Sequence, residues 1–209
     1  MLRTTIKKTV LVFLMTSFGV STALAEQQGT TPWLVRLRLL DIATQKSNDT
    51  GLAGGAPSDS IQVGGRMQPD VDVTYFFTPH WATELVLSYP VSHSVSLSGG
   101  NIGSFQELPP TLNAQYHFDS MGKFTPYLGA GVTYMRTFNT SLVSGLSLTQ
   151  NNFGPDVEAG VDYALDQHWS LNADIKQVFI NVGVTNGAGG TFNLHPNPTL
   201  IGVGVGYHF

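Results

Sequence analysis

Nine charged residues of this chain stand in pairs and triplets two or four positions apart: Arg36 and Arg38; Asp156, Glu158 and Asp162; Asp174 and Lys176; with Asp72 and Glu84 between hydrophobic alternates. A spacing of two puts side chains on one face of a strand. Opposite charges enclosed on such a face need one another, so the chemistry expected of them is an ion-paired plug rather than acid–base catalysis. A second constellation is His93 between Ser92 and Ser94, with His195 able to approach from a later loop. A histidine with a hydroxyl is what a lipid-modifying barrel enzyme would use, but in a serine-rich stretch that pairing is a weak signal. A third is Pro109-Pro110, which removes two successive backbone donors. The chain has no cysteine, so thiol nucleophiles, disulfides and cysteine-held zinc drop out. No histidine pair has metal-site spacing. The expectation is therefore no catalytic residue, no metal and no cofactor.

The elements that hold these residues follow from composition and period. Of 209 residues, 42% are apolar and 11% aromatic, enough for a packed domain. Only 11% are charged, against roughly 25% in an ordinary soluble domain. A net charge of −4 and the lack of a basic patch argue against nucleic acid as a partner. Arg3, Lys7 and Lys8 precede an apolar stretch from Thr9 to Val20 and then Ala23-Leu24-Ala25, the layout of a cleaved signal peptide over residues 1–25. The alternative is an N-terminal membrane anchor, for which the apolar run is short. Cleavage leaves residues 26–209 with seven Lys and Arg against fourteen Asp and Glu, a net charge of −7.

Beyond residue 30 the pattern alternates in twos. Leu112, Ala114, Tyr116 and Phe118 share a face opposite Thr111, Asn113, Gln115 and His117; Phe153, Pro155, Val157, Ala159, Val161 and Tyr163 share one opposite Asp156, Glu158 and Asp162. Six more segments read the same way, beginning near Trp33, Val71, Trp81, Phe124, Trp169 and Ile201, for eight strands in all. Three connections are short turns, at residues 78–80, 119–123 and 166–168. The other four are long and rich in Gly, Ser and Asn: about 44–67, 92–106, 139–151 and 181–197. Short turns at one end and long loops at the other is the layout of a transmembrane β-barrel. Its outward face meets hydrocarbon and cannot hold charge, which accounts for the charge deficit. A soluble β-sandwich, the alternative, would carry charge on its outer face. Here that face ends in aromatics such as Trp33, Trp81, Phe118, Trp169 and Phe209, as interfacial girdles do. Arg136 falls on the outward face near the long-loop end, where it can meet headgroup phosphates.

Three stretches resemble the OmpW family of small outer-membrane barrels: Leu108-Pro109-Pro110-Thr111-Leu112 continuing to Gln115-Tyr116-His117-Phe118; Lys123-Phe124-Thr125-Pro126-Tyr127-Leu128-Gly129-Ala130-Gly131-Val132; and Gly160-Val161-Asp162-Tyr163 with Trp169. The ending Gly206-Tyr207-His208-Phe209 resembles the terminal signal of outer-membrane barrels generally. The resemblance implies an eight-stranded antiparallel barrel in the outer membrane with a narrow lumen. It also implies uptake of small hydrophobic molecules that leave sideways through the wall. Some relatives are associated with small polar solutes instead. The partners implied are outer-membrane lipid and lipopolysaccharide, a small hydrophobic ligand, and the barrel-assembly machinery acting on Phe209.

Three sets of site residues follow. Pro109 and Pro110 either open the wall laterally or mark a harmless bulge. Val95, Leu97, Ile102 and Phe105 of the second loop and Leu142, Val143, Leu146 and Leu148 of the third either line an apolar mouth or pack together as hairpin extensions. Arg36, Arg38, Asp72, Glu84, Asp156, Glu158, Asp162, Asp174 and Lys176 fill a lumen that eight strands leave too narrow for an open pore. That plug stabilises the barrel, seals it, or does both. Two rival functions stand beside a passive conduit: a structural or receptor barrel with a plugged lumen, and an enzyme acting through His93.

Overall fold

The structure is a computed structural model that describes residues 31–44, 61–63, 66–97, 100–142, 145–186 and 191–209. Residues 1–25, read above as a signal peptide, and Val143 lie outside these, as does most of the first long loop.

Eight staves close into one antiparallel barrel, several of them built from two strands. They are β1 (Trp33–Ala43); β3 (Arg66–Phe76); β4 (Trp81–Ser88) continued by β5 (Val91–Leu97); β6 (Gly100–Leu108) continued by β7 (Thr111–His117); β8 (Phe124–Leu142); β10 (Asn151–Ala164); β11 (Trp169–Val178) continued by β12 (Val182–Asn186); and β13 (Thr191–Leu194) continued by β14 (Thr199–His208). Two short strands, β2 (Ile61–Val63) and β9 (Leu146–Leu148), add to β5 and β12 at the upper end. Neighbours in sequence pair in turn, β8 joins β10, and β14 joins β1 to close the ring. Closure satisfies the backbone without a free edge, the condition for a sheet in hydrocarbon.

The three short turns sit together at the lower end. Asp166 caps one of them, accepting the backbone N–H groups of His168 and Trp169 at 2.8 Å each. The Trp169 and His168 N–H groups hold its carboxyl below the usual carboxylate range. Both ends of the barrel chain meet here, where the Phe209 N–H donates to the Trp33 carbonyl at 3.1 Å.

Much of three of the four long connections proves to be strand rather than loop. Residues 91–97 and 100–108 pair as β5 and β6, with a bulge at Val95/Ser96, residues 182–186 and 191–194 pair as β12 and β13, and residues 139–142 and 146–148 belong to β8 and β9. Serine, asparagine and glycine suggested coil there. A hydrophobic cluster overrides that preference: Val95, Phe105, Met135, Val178, Ile180, Val182, Val184 and Leu194 are buried together inside the upper barrel.

The outward face is apolar. Leu37, Leu85, Leu112, Val132, Leu171 and Val203 are all substantially exposed along mid-strand. In water such a band would aggregate; in a bilayer it is the solvated surface. Below it runs a chain of edge-to-face rings, Trp33–Tyr75–Phe77 with centroids 4.7 and 5.1 Å apart, Trp81–Tyr116–Phe118 at 5.1 and 5.2 Å, and Trp169–Tyr207–Phe209 at 4.9 and 5.0 Å. This is the lower interfacial girdle. Tyr134 and Phe153 (4.8 Å) stand near the upper end, and Arg136 is exposed two residues beyond Tyr134.

Candidate functional site: a lumenal cavity above an ionic floor

The inward parity of β1 carries Arg36 and Arg38, and register sets each opposite a glycine of β14, Gly206 and Gly204. The two guanidinium groups therefore have room to lie across the lumen. Arg36 is fully buried and grips Asp162 through two bonds, Nη2 to Oδ2 at 2.7 Å and Nε to Oδ1 at 3.2 Å; its Nη1 reaches Asp72 and the Thr74 hydroxyl, each at 3.2 Å. Arg38 holds Asp70 at 2.9 Å, Asp72 at 3.1 Å and Asp174 at 3.2 Å. Lys176 bridges Glu158 at 2.9 Å and Glu84 at 3.2 Å, and Gln115 donates to Glu158 at 2.7 Å. These contacts join six staves into one floor across the barrel. Beneath it, His117 packs between Phe76 and Tyr127 at 4.7 and 4.9 Å. Tyr127 lies over Gly160: a Cβ there would collide with the Tyr127 ring, whose Cε1 stands 2.7 Å away. Gly160→Val is expected to cost about 1–3 kcal/mol by overpacking. The urea midpoint of the folded gel band reports it, and an unmoved midpoint would mean the ring yields freely.

Above the floor lies a cavity. Leu40, Ile42, Val86, Met135, Val178, Ile180 and Leu200 give it apolar walls, while Arg38, Gln68, Asp70, Asp174 and Lys176 lie at its base. A second space shares Ile42, Glu107, Met135, Ile180 and Pro198 with the first and adds Phe105, Leu148, Val182 and Leu194. Sharing these residues, the two spaces adjoin and make a column of cavities above the ionic floor.

The wall is interrupted beside this column. β4 and β7 pair up to Val86↔Thr111, and β5 and β6 resume at Val91↔Glu107. Between these pairs the register shifts by one residue, and Leu87 to Pro90 face Leu108 to Pro110 with no ladder pair. Pro90, Pro109 and Pro110 have no N–H to offer. On the other flank the stave stays attached, with the Tyr134 N–H donating to the Pro110 carbonyl at 3.0 Å. Ser88, Glu107, Pro109 and Thr111 line the cavity on the inner side of the break. Tyr89 is highly exposed on its outer side.

The nine charged residues singled out in the sequence are all buried in the lumen. Eight of them share the ion-paired floor; Asp156 takes the Thr133 hydroxyl at 3.0 Å instead of a cation. Of the apolar mouth residues, Val95 and Phe105 are buried in the upper cluster, with Ile102, Leu142, Leu146 and Leu148 packed against it. Leu97 is placed as backbone, opposite Ile61 and Gly100. His93 is a correction. It lies in a paired strand rather than a loop, its side chain faces inward, and Ser92 and Ser94 point the other way because strand neighbours alternate. Its ring stacks on Phe105 at 5.5 Å and its Nε2 stands 3.2 Å from Glu107. His195 bonds Asn181 at 2.5 Å. His93 therefore does not form the histidine–serine pair with Ser92 or Ser94 that catalysis would require.

Sequence reasoning missed Asp70 and Gln68, which continue the parity of Asp72 past Pro69. It also missed Pro90, the third proline at the break, and Ile42, Met135, Ile180 and Pro198, which lie past the ends drawn for their strands. Parity carried further along each strand would have found the first two and Ile42.

The sequence profile of the OmpW family of outer-membrane proteins matches residues 29–209. An uncharacterised outer-membrane protein of Sinorhizobium fredii is 36% identical, with 87% of this chain and 81% of that protein covered. Outer membrane protein W of Vibrio cholerae is 30% identical over 88% of this chain and 91% of its own length. The crystal structure of the outer-membrane protein OprG from Pseudomonas aeruginosa superposes with a TM-score of 0.72 at 26% identity, covering 86% of this chain and 97% of that one. With its closed eight-stave barrel, aromatic girdle and match over nearly all of the described residues, the chain belongs to the OmpW family and is an outer-membrane protein.

Proposed function

We propose that this protein is a passive conduit for small hydrophobic molecules. Cargo enters between the extracellular hairpins, occupies the lumenal column and leaves sideways between β4–β5 and β6–β7 into the bilayer. The observation that carries this reading is the break in the ladder at Pro90, Pro109 and Pro110, at the level where the cavity reaches the wall. The ionic floor supports it from below. A molecule without charges gains nothing from displacing paired ions, and the break at Pro90, Pro109 and Pro110 offers it a lateral way out.

The passage presents apolar walls and therefore favours apolar cargo. The same floor would also suit a plugged structural or receptor barrel, the second reading. Flux separates the two. In vesicles whose outer leaflet is lipopolysaccharide, the reconstituted protein is expected to speed accumulation of naphthalene while leaving ion conductance near that of the protein-free membrane. Naphthalene flux equal to that of protein-free vesicles would remove the conduit and leave the plugged barrel.

Two contacts with the envelope belong to this reading. Arg136, exposed above Tyr134, is suited to lipid A and phospholipid phosphates. The Phe209 ring, half exposed at the lower rim, is the group offered to the barrel-assembly machinery.

A further inference from the structure

We propose that the cavity reads the head group of its cargo, with Gln68 and Asp174 as the readers: it takes amphiphiles whose compact head donates hydrogen bonds and carries no negative charge, an alcohol or an ammonium on an apolar body. This rests on the cavity being a passage for apolar molecules and adds the chemistry of its polar end.

Register brings the two residues together. Gln68 on β3 pairs with Leu40 on β1, Leu40 with Gly202 on β14, and Gly202 with Asp174 on β11. The four form one transverse row, with Gln68 and Asp174 at its ends and both lining the cavity. Gly202 keeps the row clear: a Cβ there would collide with Asp174 Oδ1 and come within 2.9 Å of Leu40 Cδ2. Gln68 also stands next to the break in the wall, since the β3–β4 ladder ends one inward position away, at Asp70↔Ser88.

Both readers have an atom left over. Each residue is 7% exposed. Gln68 Nε2 and Asp174 Oδ1 are buried with no hydrogen-bond partner, while Asp174 Oδ2 is held by Arg38 Nη1 at 3.2 Å. Buried polar atoms are normally satisfied, so an unmet donor and an unmet acceptor on the base of one cavity point to a ligand group that meets them. A hydroxyl can accept from Gln68 Nε2 or donate to Asp174 Oδ1. An ammonium donates to Asp174 and, with the amide turned over, to Gln68 Oε1.

A carboxylate head does neither for Asp174 and meets the wrong field. Among the described residues the buried lumen holds seven carboxylates, Asp70, Asp72, Glu84, Asp156, Glu158, Asp162 and Asp174, against the three cations Arg36, Arg38 and Lys176. Glu107 on the cavity wall is a further acid, with His93 beside it at 3.2 Å. Interactions among such charges are strong in a poorly solvated lumen. The apolar walls then take the body of the molecule, up the column or out through the break.

The test uses the whole protein in lipid nanodiscs with four matched probes: naphthalene, 1-naphthalenemethanol, 1-naphthylmethylammonium and 1-naphthoate. Binding is measured against empty discs. The alcohol and the ammonium are expected to bind at least tenfold more tightly than the carboxylate. Gln68→Leu and, separately, Asp174→Asn are expected to shrink that ratio to threefold or less, in protein that still shows the folded gel band. Should Asp174→Asn fail to fold, Gln68→Leu alone decides. Equal binding of the three headed probes, with naphthalene bound, would overturn the head-group reading and leave the passage standing; so would an unchanged ratio in folded variants. If naphthalene itself does not bind, the passage fails and this proposal fails with it.

Discussion

Replacing Pro90, Pro109 and Pro110 together by Val or Thr is expected to slow naphthalene uptake by roughly 30-fold or more. The three substitutions restore three N–H donors and put strand-forming residues into Leu87–Pro90 and Leu108–Pro110, where the β4–β7 ladder ends and the β5–β6 ladder has yet to begin. Two or three ladder bonds at about 1 kcal/mol each would then have to break for a molecule to pass. A barrier raised by about 2–3 kcal/mol corresponds to a slowing of roughly 30- to 150-fold. The variant should also resist urea better than the parent, because the wall is then continuous. Pro155→Val serves as the control. Pro155 is paired with Val132 within the β8–β10 ladder, so the same chemical change is made away from the break and flux should hold. Undiminished uptake in the triple variant would make the three prolines a bulge and send the cargo elsewhere.

Arg36→Met is expected to destabilise the barrel by about 3–5 kcal/mol, the cost of leaving buried acids without their cation. Arg36 is the hub of the floor. It holds Asp162 through two bonds, Asp72 and Thr74 through Nη1, and lies 5.2 Å from the centre of the Tyr127 ring. Methionine keeps most of the length and none of the charge. A urea titration of the heat-modifiable gel band in lipid vesicles reads the loss as a lower midpoint. Adding Asp72→Asn and Asp162→Asn to Arg36→Met should recover much of it, since neutral groups tolerate burial better than orphaned ions. Recovery would show that the penalty comes from the uncompensated carboxylates. A midpoint that stays low in the triple variant would assign it to the lost span of the Arg36 side chain across the lumen.

The period of two was enough to give the barrel, its strand number and the face each residue occupies. A one-residue error in parity would have put Arg36, Glu158 or Lys176 into hydrocarbon, so composition and period constrain each other tightly. The same constraint placed Arg136 at the rim. The inward charges were legible for that reason, and Asp70 and Gln68 were missed because the strand was begun at Val71. The long connections were misread because their serines and glycines have weak intrinsic preference. What orders β5, β6, β12 and β13 is burial of Val95, Phe105, Val182 and Leu194 against residues far away in sequence, such as Met135 and Ile180.

The sequence by itself thus determined which side chains face lipid and which face the lumen, because alternation along one strand is a local property. Only the tertiary structure decided which inward residues meet. Arg36 finds Asp162 across 126 positions of chain, and Pro90 falls in the same unladdered stretch of wall as Pro109 and Pro110. Gln68 and Asp174 share a row because β3, β1, β14 and β11 close in a single register. The physical reason is that ring closure fixes the stagger between staves. That stagger is a sum over every strand pairing in the barrel, and no single segment encodes it.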